Sequence, residues 1–372
     1  MTTRANSTVI GGAMLPHAPQ FFTLPPTEDR AMVERVRASA AEIGARLSAM
    51  RPDLWLVFAN DHAEQFFLDA APPFTVHVGG EAKGAFAGRE FHWRVPGEVG
   101  LALVRALYEE GFDPAFTSTA RIDYAMGIPL THLGVTEPVL PIWVNAYLPP
   151  QPRIERCWAF GEALRRIVTA LGLRTAVVAS GGMSHFPGTE RYAEPDLAFD
   201  KALLAQLREG NLRALLAYDE ATLDASGNVE LRCWACAAGM LGERQPDIVE
   251  LEPSWHHNYA SLGFFGMPIE AREPHYPATR PERVALSEAL QGLAHEAAAR
   301  ARYVAGPAAY AAPFRLSAEE EAALLTLDGR TMVALGIHPL LAFLARLAVE
   351  RERGSASEPS GGGEALFEGA RK

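Results

Sequence analysis

Three short stretches share one design, in which an apolar run of strand type closes in a brief loop that presents a histidine. They are "AMLPHAPQ" with His17, "VFANDHAEQ" with His62 and "ASGGMSHFPG" with His185. Taken singly, each is most simply a loop histidine satisfied by its neighbours. Taken together they bring imidazoles to strand ends, where packing does not ask for them. Two imidazoles and one carboxylate on one face, with the remaining positions open, are what non-haem Fe(II) oxygen chemistry needs, because imidazole suits Fe(II) and the open positions admit substrate and O₂. The best source of the carboxylate is Glu230 in "ASGNVELRCWACAAGML", where a turn signal precedes an apolar helix and the acid opens its first turn.

Residues at strand ends need a frame that brings those ends together. The runs "TVIGGAML", "LWLVFA", "VLPIWV" and "TAVVA" read as strands. Between them, "TEDRAMVERVRASAAEIGARLSAM", "GEVGLALVRALYEEGF" and "RIERCWAFGEALRRIVTALG" carry apolar residues at helical spacing. This alternation predicts an α/β fold, a central sheet flanked by helices, with its chemistry in the loops beyond the strand ends. The expected catalytic domain spans residues 1–275. From 276 to 352 the texture changes to alanine- and leucine-rich helices with Glu and Arg on their polar faces, a small helical C-terminal module. The Ser/Gly-rich stretch 353–372 reads as a disordered tail.

The 34 Lys+Arg against 45 Asp+Glu give a formal net charge of −11, which argues against nucleic-acid partners and against adsorption to an anionic membrane. No apolar run reaches the ~18 residues of a membrane span. Cys157, Cys233 and Cys236 are too few for a disulfide framework, and the C-x-x-C lies inside an apolar helical pattern, so buried helix cysteines are expected. A cytoplasmic protein that acts on small molecules is the expectation, as a homodimer or higher homo-oligomer.

The pieces "PHAP", "NDHAEQFFLDAAPPFTV", "GIPL", "PVLPIWVNAYLPPQP", "RCWAFGEALRRI", "GGMSH" and "NVELRCW" resemble, in their order, the motifs of the class III extradiol ring-cleaving dioxygenases of the protocatechuate 4,5-dioxygenase and gallate dioxygenase type. That resemblance spans residues 8 to about 270. It implies His17, His62 and Glu230 as Fe(II) ligands, and His185 as the acid–base histidine beside the metal. Gly181 and Gly182 would let the backbone come close. The implied reaction opens the ring of a small polar aromatic diol with O₂.

Where relatives carry a second active-site histidine before the "GIPL"-like stretch, this chain has Tyr124, which can donate a hydrogen bond but does not titrate near neutrality. His132, eight residues on, is a candidate to fill that space. Asn258 and Ser261 in "SWHHNYASLGFFG" are the expected substrate contacts, by resemblance to a segment that lines the pocket in relatives. Lys83, Arg94 and Arg121 are candidate partners for a substrate carboxylate. The Tyr124 departure leaves an aminophenol or hydroxypyridone ring open as substrate, and a metal-free binding protein on the same scaffold is the rival from another class. The C-terminal stretch around "LGIHPLL" resembles the small α subunit of protocatechuate 4,5-dioxygenase, implying a helical cap; His338 there, before Pro339, reads as structural.

Overall fold

The computed structural model describes residues 8–67, 69–136, 138–268, 276 and 279–354. The chain divides into two compact units, residues 1–270 and 271–372.

The first unit is built on ten strands: β1 (Val9–Leu15), β2 (Leu54–Ala59), β3 (Phe74–His77), β4 (Glu81–Phe86), β5 (Arg89–Arg94), β6 (Ala115–Thr117), β7 (Val139–Val144), β8 (Thr175–Ser180), β9 (Ile248–Pro253) and β10 (Asn258–Phe264). Eight of them form one sheet in the order β6-β3-β7-β2-β8-β1-β10-β9. At its centre β2 runs parallel to β7 and β8, and β1 runs parallel to β8. These four strands therefore send their C-terminal ends to the same edge. Strands β3 and β10 run antiparallel to their central neighbours, so the sheet is mixed. The central strands are buried at every position, because helices cover both faces and alternation has no solvent side to serve.

The helix Arg30–Ala49 starts where the Asp29 carboxylate accepts from the amides of Ala31 and Met32 at 2.8 and 3.3 Å. It buries Val33, Val36, Ala40, Ile43 and Leu47, one stripe at helical spacing. The helices Ile154–Ala170 and Leu231–Leu241 approach closely, since a Cβ on Gly161 would lie 1.9 Å from the Cys236 carbonyl oxygen. That contact seats the helix whose first residue follows Glu230. Cys157, Cys233 and Cys236 are free and buried in this layer. Outside the main sheet, β4 and β5 pair as a hairpin through Ala87 and Gly88, both at positive φ, as a tight two-residue turn requires.

The second unit is helical. The pattern from 281 to 305 reads as one helix, yet the backbone turns extended at Glu296 and divides it into Val284–His295 and Ala297–Ala305. A short helix Pro307–Ala311 follows. The long pattern from 317 becomes three helices, Ala318–Thr326, Gly329–Ala334 and Pro339–Gly354. Local caps make these breaks: Ser317 and Glu320 form a capping box, Leu327 is left-handed, and Asp328 caps the next start. Leu286, Leu290, Leu293, Tyr303, Leu324 and Met332 share a core of this unit. His338 accepts from the Leu340 amide at 3.3 Å and stacks on Tyr276, which is a structural role. The expected tail lies outside the described residues apart from its first two positions, which complete the last helix. Among the described residues no helix is long and apolar enough to cross a membrane.

Candidate metal and substrate site

The shared edge of the parallel strands carries the chemistry. His17 follows β1, His62 follows β2, Tyr147 follows β7 and His185 follows β8, while Glu230 immediately precedes the helix Leu231–Leu241. Tyr124 opens the helix Tyr124–His132, capped by Asp123. His17, His62, Tyr124, Tyr147, His185 and His257 line one cavity of about 160 Å³.

His17, His62 and Glu230 each bring a ligand atom to a point, with all three within 4.8 Å of one another. His17 Nε2 lies 3.3 Å from His62 Nε2 and 3.2 Å from Glu230 Oε1, and His62 Nε2 lies 3.9 Å from the same oxygen. Three donors on one face of an octahedron of radius ~2.1 Å stand ~3 Å apart, so the spacing suits a divalent ion.

Hydrogen bonds at the far side of each imidazole decide which nitrogen is bare. Ser180 donates its hydroxyl hydrogen to the Ala125 carbonyl, so it can only accept from His17 Nδ1, 2.9 Å away. His62 Nδ1 donates to Asp123 at 2.8 Å. Both Nε2 atoms are thereby left as acceptors, the state a metal ligand requires. Asn60 donates to His62 Nε2 at 3.1 Å.

Charge points the same way. Glu230 is fully buried, and among the described residues no lysine or arginine pairs with it. Burial alone would raise its pKa, but His17, His185 and His62 outweigh that and hold it well below the ordinary carboxylate range. For His62, burial works against the cation, and the hydrogen bond and charge of Asp123, with Glu230 and Asp61, more than offset it. A buried carboxylate whose charged neighbours, among the described residues, are neutralisable imidazoles is a site that a divalent cation fits.

The opposite wall is arranged differently. His185 Nδ1 donates to the Met183 carbonyl at 2.8 Å, which leaves its Nε2 as an acceptor, 4.0 Å from Glu230 Oε1. Burial lowers the pKa of His185, against the pull of Glu230. Its ring stacks on His257 with centroids 4.0 Å apart and planes 5° from parallel. Gly182 makes room for this stack, because a Cβ there would sit 1.8 Å from His257 Nε2. Burial also raises the pKa of Tyr124, with Asp123 and Glu230 adding to the effect; Tyr124 keeps its proton and stacks on the His62 ring at 4.3 Å.

Three expected substrate contacts are placed elsewhere. Asn258 turns its amide to Asp200 at 2.7 Å and Ser261 is buried within β10. Successive residues on an extended segment face opposite ways, so His257 reaches the cavity and Asn258 cannot. His132 packs its ring against Phe21 and Phe22, and burial, with Arg37 and Arg89 nearby, lowers its pKa to about 4. Lys83, Arg94 and Arg121 do not line the cavity.

Among the lining residues outside the expected set, His257 and Tyr147 stand next to His185. His257 stands next to Asn258 in "SWHHNY", where residue type alone does not say which of the two faces a site. Tyr147 lay in "VNAYLPPQP" with no role. The available signal was Asn145, whose side chain accepts from the Leu148 amide at 2.9 Å and donates to the Leu148 carbonyl at 2.7 Å, clamping the turn that presents Tyr147.

A family model described as the catalytic LigB subunit of aromatic ring-opening dioxygenase matches residues 11–264. The chain belongs to this family. It is accordingly an extradiol ring-cleaving dioxygenase, an oxidoreductase of aromatic catabolism, and dioxygenases of the LigB family depend on a metal. The matched residues contain the whole cavity wall and stop short of the helical unit. A Klebsiella pneumoniae protein named 2,3-dihydroxyphenylpropionate/2,3-dihydroxicinnamic acid 1,2-dioxygenase is 31% identical over 251 residues, 67% of this chain and 76% of its own length. An Escherichia coli protein of the same name is 29% identical over the same shares. The crystal structure of an uncharacterized protein from Escherichia coli K12 aligns at 16% identity with a TM-score of 0.46, over 68% of this chain and 99% of its own.

Proposed function

We propose that the chain uses Fe(II), held by His17, His62 and Glu230, to open the ring of a small polar aromatic diol of the protocatechuate or gallate kind, with His185 as its acid–base group. The observation that supports this reading is the convergence of three acceptor atoms, His17 Nε2, His62 Nε2 and Glu230 Oε1, whose residues are tied on their far sides to Ser180, Asp123 and the Gly182 amide. Bound Fe(II) would supply Lewis acidity toward a ring oxygen and a route for electrons from ring to O₂. The protein's own part is to hold the ring and to manage its protons. His185 Nε2 is the acceptor on the substrate side and takes a ring hydroxyl proton, then returns it as the ring opens. Tyr124 keeps its proton and donates to a substrate oxygen from above His62. Its stack also fixes the tilt of that ligand ring.

A second substrate is favoured by one feature. With Tyr124 a permanent donor, His185 is, among the described residues, the cavity-lining imidazole that is free of the ligand set and not packed away, which suits a ring that surrenders a single proton, such as an aminophenol or hydroxypyridone. The relatives' names argue for the diol.

Loading purified protein with Fe(II) under anaerobic conditions, then measuring oxygen uptake against catechol acids, gallate, aminophenols and hydroxypyridones, tests both readings. One equivalent of iron with rapid uptake on a diol supports the first. Absence of stoichiometric iron would overturn the assignment of Fe(II) to His17, His62 and Glu230.

A further inference from the structure

Tyr147 stands between the two halves of the site. Its hydroxyl lies 2.9 Å from His185 Nε2 and 3.1 Å from Glu230 Oε1. The turn beneath it is closed by the two Asn145 bonds, so the hydroxyl is held in place by its backbone as well as by its contacts.

Counting hydrogens shows what the arrangement does. His185 has given its Nδ1 hydrogen to Met183, so its Nε2 accepts. Glu230 is a carboxylate whose other oxygen already accepts from the Gly182 amide, so Oε1 accepts too. A phenol has one hydrogen to donate and keeps it near neutrality. One donor thus faces two acceptors, and only one can be fully served at a time. Yet His185 Nε2 is the atom that a substrate hydroxyl must reach if His185 is the base.

We propose that Tyr147 is a positioning residue whose hydroxyl stands in for the substrate's own: it shares its hydrogen between His185 Nε2 and Glu230 while the cavity is free, and gives it wholly to Glu230 once a substrate hydroxyl takes its place at His185. The inference rests on the reading of His185 and the ligand triad above. It makes the hydrogen bond to the ligand carboxylate strongest in the substrate complex, and it keeps the His185 ring aimed at the metal-side oxygen beforehand. No bond is made or broken; a hydrogen bond changes partner.

Tyr147→Phe keeps the ring and removes the hydroxyl. In substrate-free protein its Fe(II) affinity, read by competition with a chromogenic chelator, should fall about 10-fold, the lower end for a lost partner of a metal ligand. Its kcat should fall by a similar factor while anaerobic catechol binding to the iron-loaded protein is not weakened, because the hydroxyl that competed for His185 is gone. In a His185→Ala background the same change should cost no further kcat yet still lower iron affinity, which separates the two contacts. Tyr147→Gln, which restores a donor, should recover part of the iron affinity and provides the comparison if the phenylalanine variant folds poorly. Iron affinity and kcat both unchanged in Tyr147→Phe would overturn the inference alone, as would catechol binding that weakens in step with thermal stability. A wild-type chain that takes up no iron would overturn the site reading and the inference with it.

Discussion

The two walls of one small cavity follow different rules. On the ligand wall every donor has its far atom tied, His17 to Ser180, His62 to Asp123 and Glu230 to the Gly182 amide, and its near atom left as an acceptor turned to one shared point. On the facing wall His185 is held by one backbone carbonyl and by a parallel stack on His257, and it shares a single hydroxyl hydrogen with Glu230 through Tyr147. The first arrangement suits a cation held in fixed geometry. The second lets a hydrogen change partner at little cost, because neither position is fully satisfied. Rigidity and proton mobility are thus separated across a few ångströms by which atoms are over-bonded and which are under-bonded.

Breaking the ligand wall should have the largest effect. His17→Ala or His62→Ala should abolish bound iron and all turnover while the circular dichroism spectrum stays native, since both residues sit beyond strand ends. Stoichiometric iron in either variant would merge the two walls into one. Next, His185→Ala should retain iron and bind catechol, but lose about 10²–10⁴-fold in kcat, as for a missing general acid–base. Loss of iron together with activity would move His185 onto the ligand wall.

A subtler change sharpens the contrast. Asp123→Asn keeps the helix cap and removes the charge behind His62, and should weaken iron binding about 10-fold by the usual effect of such partners, with little change in the His185-dependent step once iron is saturating. A kcat that stays low at saturating iron would show that Asp123 serves both walls.

The smallest effect concerns a residue beneath both. Asp200 accepts from the Ser184 amide beside His185, from Asn228 near Glu230 and from Asn258. Burial raises its pKa from 3.8 to about 6, although these three donors pull it down. Between those values the folded chain holds a proton that the unfolded chain has released, so this group adds stability as pH falls through that window and loses it as pH rises past about 6. Two units correspond to roughly 3 kcal/mol at most. Comparing wild type with Asp200→Asn by urea unfolding at pH 7 and pH 5 isolates it: wild type should gain on the variant at the lower pH, and parallel curves would refute the assignment.

Much of this was legible in the chain itself. Unbroken apolar runs such as "LWLVFA" and "VLPIWV" could only be strands covered on both faces, and the histidines and Glu230 were marked by standing where those runs or turn signals end. Residue types and spacing therefore determined the sheet, its reactive edge and the donor set. The long C-terminal helical pattern was less legible, because Leu327 and Glu296 break it through backbone angles that residue type does not dictate.

Only the tertiary structure decided what each donor can do. Three histidines at strand ends are equivalent on paper, and His17 is left with its Nε2 as an acceptor because Ser180, 163 residues away in sequence, accepts from its other nitrogen. His62 depends in the same way on Asp123, 61 residues on. His257 rather than Asn258 faces the cavity because a one-residue step reverses the face of an extended segment, and no local pattern sets which face meets the site. Tyr147 gains its place from a turn clamped by Asn145 and from acceptors 38 and 83 residues distant. Sequence supplies the groups; which of their atoms is left to accept depends on long-range hydrogen bonds, and those form only when the chain has folded.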